Sequence, residues 1–471
     1  MSKHIKLALA AAAVSAAFAG PASADTIYGA GASAIKASLI NVVLGKYCTA
    51  GTINYYDNAT AAAVSPAIPG GSVFRITCTQ QAGTAFTAPV DVTYDTTGGS
   101  WKAFTAANPA LLTKAQNPAL NLNPVSTVPT AGGTTQAAYV MNVLGTNYTV
   151  NYTWGLTAAN IPAGANVTFG LTDVETALFN ASSINQPLVA NSWTTGANTP
   201  IYTNDWSTGT EAAGFPTPVF GVVFGVAASP ALYAALQTDQ LAAGGPLAGS
   251  GCVAGTVSQL CAPLISKALY RSLASANFGQ LNTNAAELFP RVVPANTAIE
   301  IARRDQGSGT QAGSNAFFEN AGCAAGVETT DLLPALPSDG GGNWTVSYNA
   351  TTTAALARIN TPGGVPASNF VIGVVSAEND AKLVGGAGFL KIDGYYPSNT
   401  NAAAGVYSYV TEENLHCSAT ATGDSKQLCL QLDAAAPDPQ SLLQYTGTGI
   451  VQLSASKFYN NNTSCAGWRA K

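Results

Sequence analysis

Residues 302–310 bring together arginines, glycines and hydroxyl side chains, which are the residue types that could hold an anion. They read Ala-Arg-Arg-Asp-Gln-Gly-Ser-Gly-Thr, follow a strand-like stretch at 299–301 and lead into a helical pattern. Glycine lets the backbone approach a ligand closely, and the first amides of a helix point at one spot with the positive end of the helix dipole behind them. Arg303 or Arg304 can add a planar fork for two oxygens of a tetrahedral anion. The alternative is an ordinary strand-to-helix connection whose arginines reach to solvent.

Three earlier units repeat the order strand, small-residue turn and helix. Their strand-like stretches lie at residues 26–28, 90–94 and 167–170. A long apolar run at 218–226 is typical of a strand buried on both faces. Further elements are predicted as helices at 229–236, 266–274, 352–359 and after 437, and as strands at 370–375, 389–392 and 406–410. This alternation predicts an α/β fold with lobes built on mostly parallel sheets.

Two stretches interrupt this order, at about residues 105–160 and 180–214. Both are rich in Thr, Asn, Ala, Pro and Gly, and aromatic residues alternate with polar ones at 148–154. They are too apolar to be wholly disordered. We interpret them as insertions that form surface loops or a β-hairpin.

The first 24 residues predict export from the cytoplasm. Lys3 and Lys6 precede an apolar run that ends in Ala22-Ser23-Ala24, which is the three-part layout of a cleaved signal peptide. No cysteine stands directly after the expected cleavage point, so no lipid anchor is expected. No later apolar run is long enough to span a membrane. The sequence therefore predicts a periplasmic or extracellular protein.

The eight cysteines form an even set, which in an exported chain favours disulfide bonds over metal thiolates. Many pairings are possible, and proximity favours only the local pairs Cys252–Cys261 and Cys417–Cys429. The cysteines left for longer closures are Cys48, Cys78, Cys323 and Cys465. The alternative is that several of the eight are free, buried thiols.

The charge of the chain argues against a nucleic-acid partner. Without Lys3 and Lys6, the 19 Lys and Arg fall to 17 against 24 Asp and Glu, a formal charge of −7. No basic stripe is available to neutralise phosphates along a strand. A local anion site remains compatible with this net charge, because a cleft lined by positive groups can have a positive potential although the whole chain is weakly negative.

The order of the motifs resembles that of the periplasmic phosphate-binding proteins of ABC transporters, the phosphate-specific branch of the type II periplasmic binding proteins. The matching segments are Tyr-Gly-Ala-Gly-Ala-Ser at 28–33, Tyr-Asp-Thr-Thr-Gly-Gly at 94–99, Phe-Gly-Leu-Thr-Asp at 169–173, Phe-Pro-Thr-Pro-Val-Phe-Gly-Val-Val at 215–223 and Arg-Arg-Asp-Gln-Gly-Ser-Gly-Thr at 303–310. The last is the most specific. The helix at 268–273 lacks the family's Gly-Lys signature, and the two insertions have no counterpart that we can place.

The resemblance implies two α/β lobes with the ligand clamped in a cleft between them. Lobe 1 would comprise residues 25–217 with a return segment at 393–471, and lobe 2 would comprise residues 218–392. The family is not enzymatic, uses no cofactor and delivers its ligand to the permease subunits of an ABC transporter. We therefore expect a monomer that binds inorganic phosphate or a similar tetrahedral oxyanion.

The resemblance also assigns roles to individual residues. Asp173 takes the place of the binding aspartate, Arg304 that of the binding arginine, and Thr96 that of a hydroxyl donor. Amide and side-chain donors are expected from Ser33, Ala34, Ser308, Gly309 and Thr310. Ala34 departs from the family, which has a bulkier Phe at this position. Outside the resemblance, Asp173 could instead be a turn residue that caps the following helix.

Two other functions stay open at this point. An extracellular interaction protein could keep the binding fold while its Thr/Asn-rich insertions make the contacts. A secreted phosphatase would need a metal cluster or an activated nucleophile with a base. Beyond the signal region the chain has only one histidine, His416, and we find no metal-ligand spacing. The sequence thus predicts a binding protein that is not an enzyme and has no metal site.

Overall fold

The computed structural model describes residues 27–97, 99–105, 133–143, 145–156, 167–179, 185, 220–274, 285–320, 343–363, 368–418, 421–435, 450–451, 458–459, 465 and 469–470. The predicted signal peptide, the helix after residue 437 and Cys323 lie outside these residues. The described part is a mixed α/β structure with one large central sheet.

Lobe 1 is built on seven strands of this sheet. The strands are β1 (Ile27–Gly31), β2 (Asn54–Asp57), β3 (Val73–Cys78), β4 (Val90–Asp95), β5 (Thr134–Val143), β6 (Thr146–Trp154) and β7 (Phe169–Thr172). β1 lies between β4 and β7 and is parallel to both. Helix α1 (Lys36–Val42) follows β1 and continues into a π-helical turn (Val43–Tyr47). The carboxyl ends of β1, β4 and β7 therefore meet at one edge of the sheet.

Lobe 2 is built around β10 (Ile299–Arg304), which is parallel to β11 (Trp344–Asn349) on one side and β12 (Phe370–Ser376) on the other. The helices of this lobe are α2 (Pro230–Leu241), α3 (Lys267–Ala274), α4 (Gly309–Glu319) and α5 (Thr352–Asn360). The short strand β13 (Gly388–Phe389) joins the large sheet, whereas β9 (Leu264–Ile265) and β14 (Lys391–Ile392) form a separate two-stranded sheet. Residue 304 thus ends the central strand, and α4 begins five residues later.

Two antiparallel strands join the lobes. The first half of β8 (Phe220–Ala228) pairs with β15 (Val410–Cys417), and its second half pairs with β12. β15 pairs with β8 as far as Glu413 and with β7 from Asn414 onward. Each strand therefore crosses from one lobe to the other at the base of the space between them.

The remaining elements lie near the crossing or at the end of the chain. They are helix α6 (Asn399–Ala403), helix α7 (Gly423–Ala435), and strands β16 (Ile450–Val451), β17 (Phe458–Tyr459) and β18 (Arg469–Ala470). Helix α7 contacts β15, and β16 pairs with β8. None of the helices in the described ranges is long and apolar enough to cross a lipid bilayer.

The α/β class is confirmed, and so is the strand at 218–226, whose side chains from Val222 to Ala228 are buried. The prediction of mostly parallel sheets is wrong. The two crossing strands are antiparallel to their neighbours, β3 is antiparallel to both β2 and β4, and the first insertion adds the antiparallel hairpin β5–β6 at the sheet edge. The positions of the two lobe boundaries stay predictions.

The strand predicted at 406–410 is also wrong, because the strand begins only at Val410 and runs to Cys417. Its sequence, Val-Thr-Glu-Glu-Asn-Leu-His-Cys, does not look like a buried strand. These polar side chains are nevertheless buried, because the strand passes between the two lobes. Helix α7 was not predicted either.

The local disulfides Cys252–Cys261 and Cys417–Cys429 are confirmed. A third bond joins Cys48 to Cys78 and links the end of the first helical segment to β3. No free thiol is found among the described cysteines. The expectation of a disulfide framework therefore holds for this part of the chain.

Candidate functional site

The turn between β10 and α4 presents backbone donors to the space between the lobes. Ser308 is the N-cap of α4, with an extended backbone, and its carbonyl accepts the first helical bond from Ala312 N at 2.9 Å. Ser308, Gly309 and Thr310 are all buried. The first amides of a helix have no partner within it and point at an acceptor in front of the helix, and Gly309 N donates to Ser100 Oγ of lobe 1 at 3.1 Å.

Arg304 supplies the positive charge of the site. It is buried, and its Nε donates to Asn349 O at 3.0 Å, Nη1 to Thr352 Oγ1 at 2.6 Å and Nη2 to Ala350 O at 3.2 Å. These three bonds fix the plane of the guanidinium and leave one N–H on each terminal nitrogen. Burial lowers the pKa of Arg304 to about 10, partly offset by Asp173 and then Asp305. The group stays charged at neutral pH and is oriented for a bidentate contact.

Arg303 points to the opposite side of β10, as strand geometry requires of adjacent residues. Its Nη1 donates to Ala274 O at 3.0 Å and its Nη2 to Asn315 Oδ1 at 2.9 Å. It joins strand β10 to helices α3 and α4. Of the two arginines, Arg304 alone lies at the cleft.

Lobe 1 contributes a second turn, directly after β4. Asp95 holds this turn, because its Oδ1 accepts from Thr97 N at 2.7 Å and its Oδ2 pairs with Lys102 Nζ at 3.0 Å. Gly99 has a φ of +96° and lies against Gly307, where a side chain would meet the Gly307 carbonyl oxygen. Trp101 N donates to that same carbonyl at 3.2 Å. The turns of the two lobes are therefore in direct contact.

Asp173 lies between these turns, immediately after β7, and is 1% exposed. Ser100 Oγ donates to its Oδ1 and also accepts from Gly309 N at 3.1 Å. Burial raises the pKa of Asp173, while Ser100, its own backbone, Arg304 and Thr310 lower it. The carboxylate thus faces the positive charge of Arg304 and the start of α4 across the space between the lobes.

A further contact links the first turn of lobe 1 to this set. Ser33 Oγ lies 3.0 Å from Thr352 Oγ1, which also accepts from Arg304. Ala34 is buried next to it at the start of α1. The structure therefore brings Ser33 to Arg304 through Thr352, and Asp173 to Gly309 through Ser100, while Thr310 bonds to Asp173 directly.

Thr96 is placed differently from the expectation that it donates to a ligand. Its hydroxyl donates to Ser72 O at 2.7 Å, and its amide donates to the same carbonyl at 2.8 Å. The hydroxyl group that reaches Asp173 is instead that of Ser100, which the sequence analysis missed. Ser100 is four residues further along the same turn, so the Thr/Ser-rich composition was a signal for the turn but not for the residue.

The second insertion reaches the site through Asn185. Its carbonyl accepts from Gly307 N at 3.0 Å, and its Oδ1 accepts from Asn315 Nδ2 at 2.7 Å. Asn315 in turn accepts from Arg303 and Gln311. The insertion at 180–214 is therefore not wholly peripheral, because Asn185 supports the back of the anion-binding turn.

The protonation state of His416 and the placement of possible metal ligands bear on whether the chain could be a hydrolase. Burial lowers the pKa of His416 to about 4, so the imidazole is neutral at physiological pH. Within the described ranges no group of three His, Cys, Asp or Glu side chains is placed to hold a metal ion. What the site can do with the groups shown is hold an oxyanion by a guanidinium, amides and hydroxyls.

Comparison with known proteins found no matching family model and no matching curated protein. Among solved structures, the chain is similar to the high-affinity periplasmic phosphate-binding protein PfluDING bound with phosphate, at 11% identity, over 92% of this chain and 91% of that chain, with a TM-score of 0.43. It is also similar to a phosphate ABC transporter substrate-binding protein from Clostridium perfringens with bound phosphate, at 12% identity, over 50% and 71% of the two chains, with a TM-score of 0.30. An ABC-type phosphate transport receptor from Vibrio cholerae matches at 12% identity and a TM-score of 0.28, over 46% of this chain and 65% of the receptor.

Proposed function

We propose that this chain is a periplasmic or extracellular solute-binding protein that holds inorganic phosphate between its two lobes for delivery to an ABC permease. The observation that carries the proposal is the placement of Asp173 opposite Arg304, with the first turn of α4 beside both. Arg304 and the amides of α4 hold the oxygens of the anion, and contacts between the lobes exclude water.

Asp173 gives the site its choice of ligand. A buried carboxylate repels a dianion unless the ligand supplies a proton. HPO4²⁻ has one proton and can donate it to Asp173, whereas sulfate at neutral pH has none. Sulfate would offer the carboxylate no proton beyond the bond from Ser100 and would also repel it, at a cost on the order of 1–3 kcal/mol for the lost ligand hydrogen bond alone. Arsenate also carries a proton at neutral pH and can donate it to Asp173, so the site accepts arsenate as well.

The test is calorimetric titration of ligand-stripped protein with phosphate, arsenate and sulfate. The proposal predicts micromolar or tighter affinity for phosphate and arsenate and no measurable heat of binding for sulfate. Failure of phosphate to bind at micromolar concentration would contradict it. A phosphatase assay of pure protein, with and without divalent metals, tests the enzymatic alternative, and robust turnover would favour that alternative.

The hairpin β5–β6 favours a second candidate function, that of an extracellular interaction protein. Among the described residues β5 is the last strand of the sheet, and residues 134–138 on it are exposed. An exposed edge strand offers unpaired backbone groups to another chain. If this function is separate, deletion of the hairpin leaves phosphate affinity unchanged and removes binding to a partner protein. A deletion that abolished phosphate binding in a folded protein would count against a separate role.

A further inference from the structure

Glu413 lies where β15 changes its pairing partner. Glu413 pairs with Phe220 of β8, and the next residue, Asn414, pairs with Thr172 of β7. Thr172 directly precedes Asp173 in the chain. Glu413 is therefore at the crossing between the lobes, close to the proposed ligand carboxylate.

The Glu413 carboxyl group has no compensation for its burial. The residue is 0% exposed, and neither Oε1 nor Oε2 has a hydrogen-bond partner among the described residues. Burial raises its pKa well above the ordinary value, and Asp173 and Glu378 raise it further. The Tyr94 hydroxyl on β4 also faces it. Its surroundings consequently favour the protonated form of Glu413.

Glu378 brings a third carboxyl group to the crossing from lobe 2, because β12 pairs with β8 as far as Ser376 and β8 is also the strand that pairs with Glu413. It lies in the 3-10 helix after β12 (Ala377–Lys382), is partly exposed, and accepts a long hydrogen bond of 3.5 Å from Ser376 Oγ. Its Oε2 is buried and has no partner in the described part of the chain. Burial, with a smaller contribution from Asp173, raises its pKa to about 7, although Lys382, Ser376 and Lys36 lower it.

The cations around Glu378 are already engaged with other groups. Lys36 Nζ donates to Pro69 O at 2.7 Å and to Gly71 O at 2.6 Å, and Lys382 Nζ donates to Asn379 Oδ1 at 2.8 Å. Burial lowers the pKa of Lys36 to about 8. Neither lysine makes a direct ion pair with Glu378 in the described residues, so the nearby positive charge only partly offsets an added negative one.

Three neighbouring carboxyl groups, two of them buried and one partly exposed, cannot all be ionised at little cost in a low-dielectric site. Asp173 accepts hydrogen bonds and faces Arg304, so it is the one best stabilised as an anion. Among the residues that the structure describes, Glu413 has no donor and Glu378 has one weak donor. A dianion that binds beside Asp173 adds negative charge next to Glu378, which favours the protonated form of that carboxyl group.

We propose that capture of a dianionic oxyanion in this cleft is coupled to uptake of one proton by Glu378, with Glu413 held as a neutral neighbour beneath the site. The inference rests on the proposed function. It makes Glu378 a positioning residue that acts through the charge of the cleft and not through direct contact with the ligand.

The test is calorimetric titration with phosphate at pH 8 in two buffers of different ionisation enthalpy, which counts the protons exchanged. Free phosphate is almost wholly the dianion at this pH, and a carboxyl group of pKa about 7 is mostly ionised. We expect the wild type to take up close to one proton more than Glu378→Gln. Because Glu378 also raises the pKa of Lys36, uptake by Lys36 can differ between the two proteins, and the infrared measurement separates it from uptake by Glu378. Glu287→Gln, an exposed control in lobe 2, should match the wild type.

A second measurement on the wild type alone covers the case in which Glu378→Gln does not fold. Phosphate-induced infrared difference spectra should show loss of a carboxylate band and gain of a protonated-carboxyl band, which uptake by Lys36 cannot produce. Phosphate binding without these changes, or with equal proton uptake in wild type and Glu378→Gln, overturns the inference and leaves the proposed function standing. Absence of phosphate binding to the wild type overturns both.

Discussion

Gly309 in lobe 2 lies so close to Asp173 in lobe 1 that a methyl group on its α carbon would overlap the carboxylate oxygen Oδ1. The same methyl group would also meet Ser100 Oγ, which binds both residues. The site therefore depends on the absence of a side chain at the first position of α4. This requirement explains the second glycine of the turn better than backbone freedom does, because Gly309 has an ordinary helical conformation.

Gly309→Ala should weaken phosphate binding, because Asp173 and Ser100 must move or the lobes must separate. Overpacking of a closed site costs on the order of 1–3 kcal/mol, or roughly a 5- to 150-fold loss of affinity. Calorimetric titration measures the loss. Gly313→Ala, where the nearest atom to an added methyl group is a Thr411 methyl at 3.0 Å, is the control on the same helix and should cost much less affinity. Equal affinity of Gly309→Ala and the wild type would show that the lobes do not close as described.

Arg304→Lys should weaken binding of every oxyanion that the site accepts. An ammonium cannot reproduce a fork fixed by Asn349, Ala350 and Thr352. The expected loss is roughly 10- to 100-fold, from about 1.5–3 kcal/mol for a charged hydrogen bond. Arg303→Lys is the matched control, because Arg303 binds Ala274 and Asn315 on the other face of β10. Arg303→Lys should lower the unfolding temperature and leave the phosphate affinity nearly unchanged. A large loss of affinity in Arg303→Lys together with little loss in Arg304→Lys would exchange the roles of the two arginines.

Asn185→Ala should lower phosphate affinity a few-fold although the residue touches no ligand in this account. The change removes the acceptor of Asn315 Nδ2 and loosens the support of the anion-binding turn, at about 1 kcal/mol. Asn142→Ala, which removes a similar amide contact with Asn147 in the β5–β6 turn, should leave affinity unchanged. Identical effects of the two substitutions would show that residue 185 has no special connection to the site.

Glu413→Gln should stabilise the fold at alkaline pH. Burial raises the pKa of Glu413 well above 4.5, so the folded chain keeps a proton that the unfolded chain releases. Stability is therefore lost as the pH rises from about 4.5 toward the raised pKa, and glutamine removes this loss. We expect an unfolding temperature roughly 2 °C or more above wild type at pH 8, with a smaller gap at pH 4.5. Thermal scans across this range, with Glu287→Gln as control, decide the point, and a gap that grows toward acid would contradict it.

The residues that could be predicted from the sequence are those whose role is set by the local chain. The glycines, hydroxyls and arginines of the turn at 303–310 lie in one short segment, and Asp173 directly follows the strand-like residues 169–172. Ser100 and Thr352 could not be assigned in the same way. Their importance comes from what lies across the cleft, Gly309 for one and Ser33 for the other.

Strand β15 shows a second limit of sequence reasoning. Hydrophobic patterning marks strands that pack on a core, and it found β8 at nearly its true position. Residues 411–414 of β15, Thr-Glu-Glu-Asn, are polar and yet buried, because this strand runs between lobes and not through one of them. Because β15 runs between the lobes, its polar sequence was not recognised as a strand, and Glu413 lies beneath the cleft.

The adjacent residues Arg303 and Arg304 show a third limit of prediction from the sequence. Strand geometry dictates that Arg303 and Arg304 face opposite ways, but not which of them faces the ligand. That choice depends on the neighbouring strand β11, whose last residue and following loop supply the carbonyls that hold Arg304.

The ratio of phosphate to sulfate affinity in wild type and Asp173→Asn, measured side by side at pH 7.5, tests the central claim most directly. Asparagine keeps the shape of the side chain but offers an amide donor and no negative charge, so sulfate no longer meets a carboxylate that repels it. The account predicts a large preference for phosphate in the wild type and a fall in that preference of roughly 10- to 100-fold in the variant, chiefly through gained sulfate binding. An unchanged ratio in a folded, phosphate-binding variant would contradict the assignment of ligand choice to Asp173.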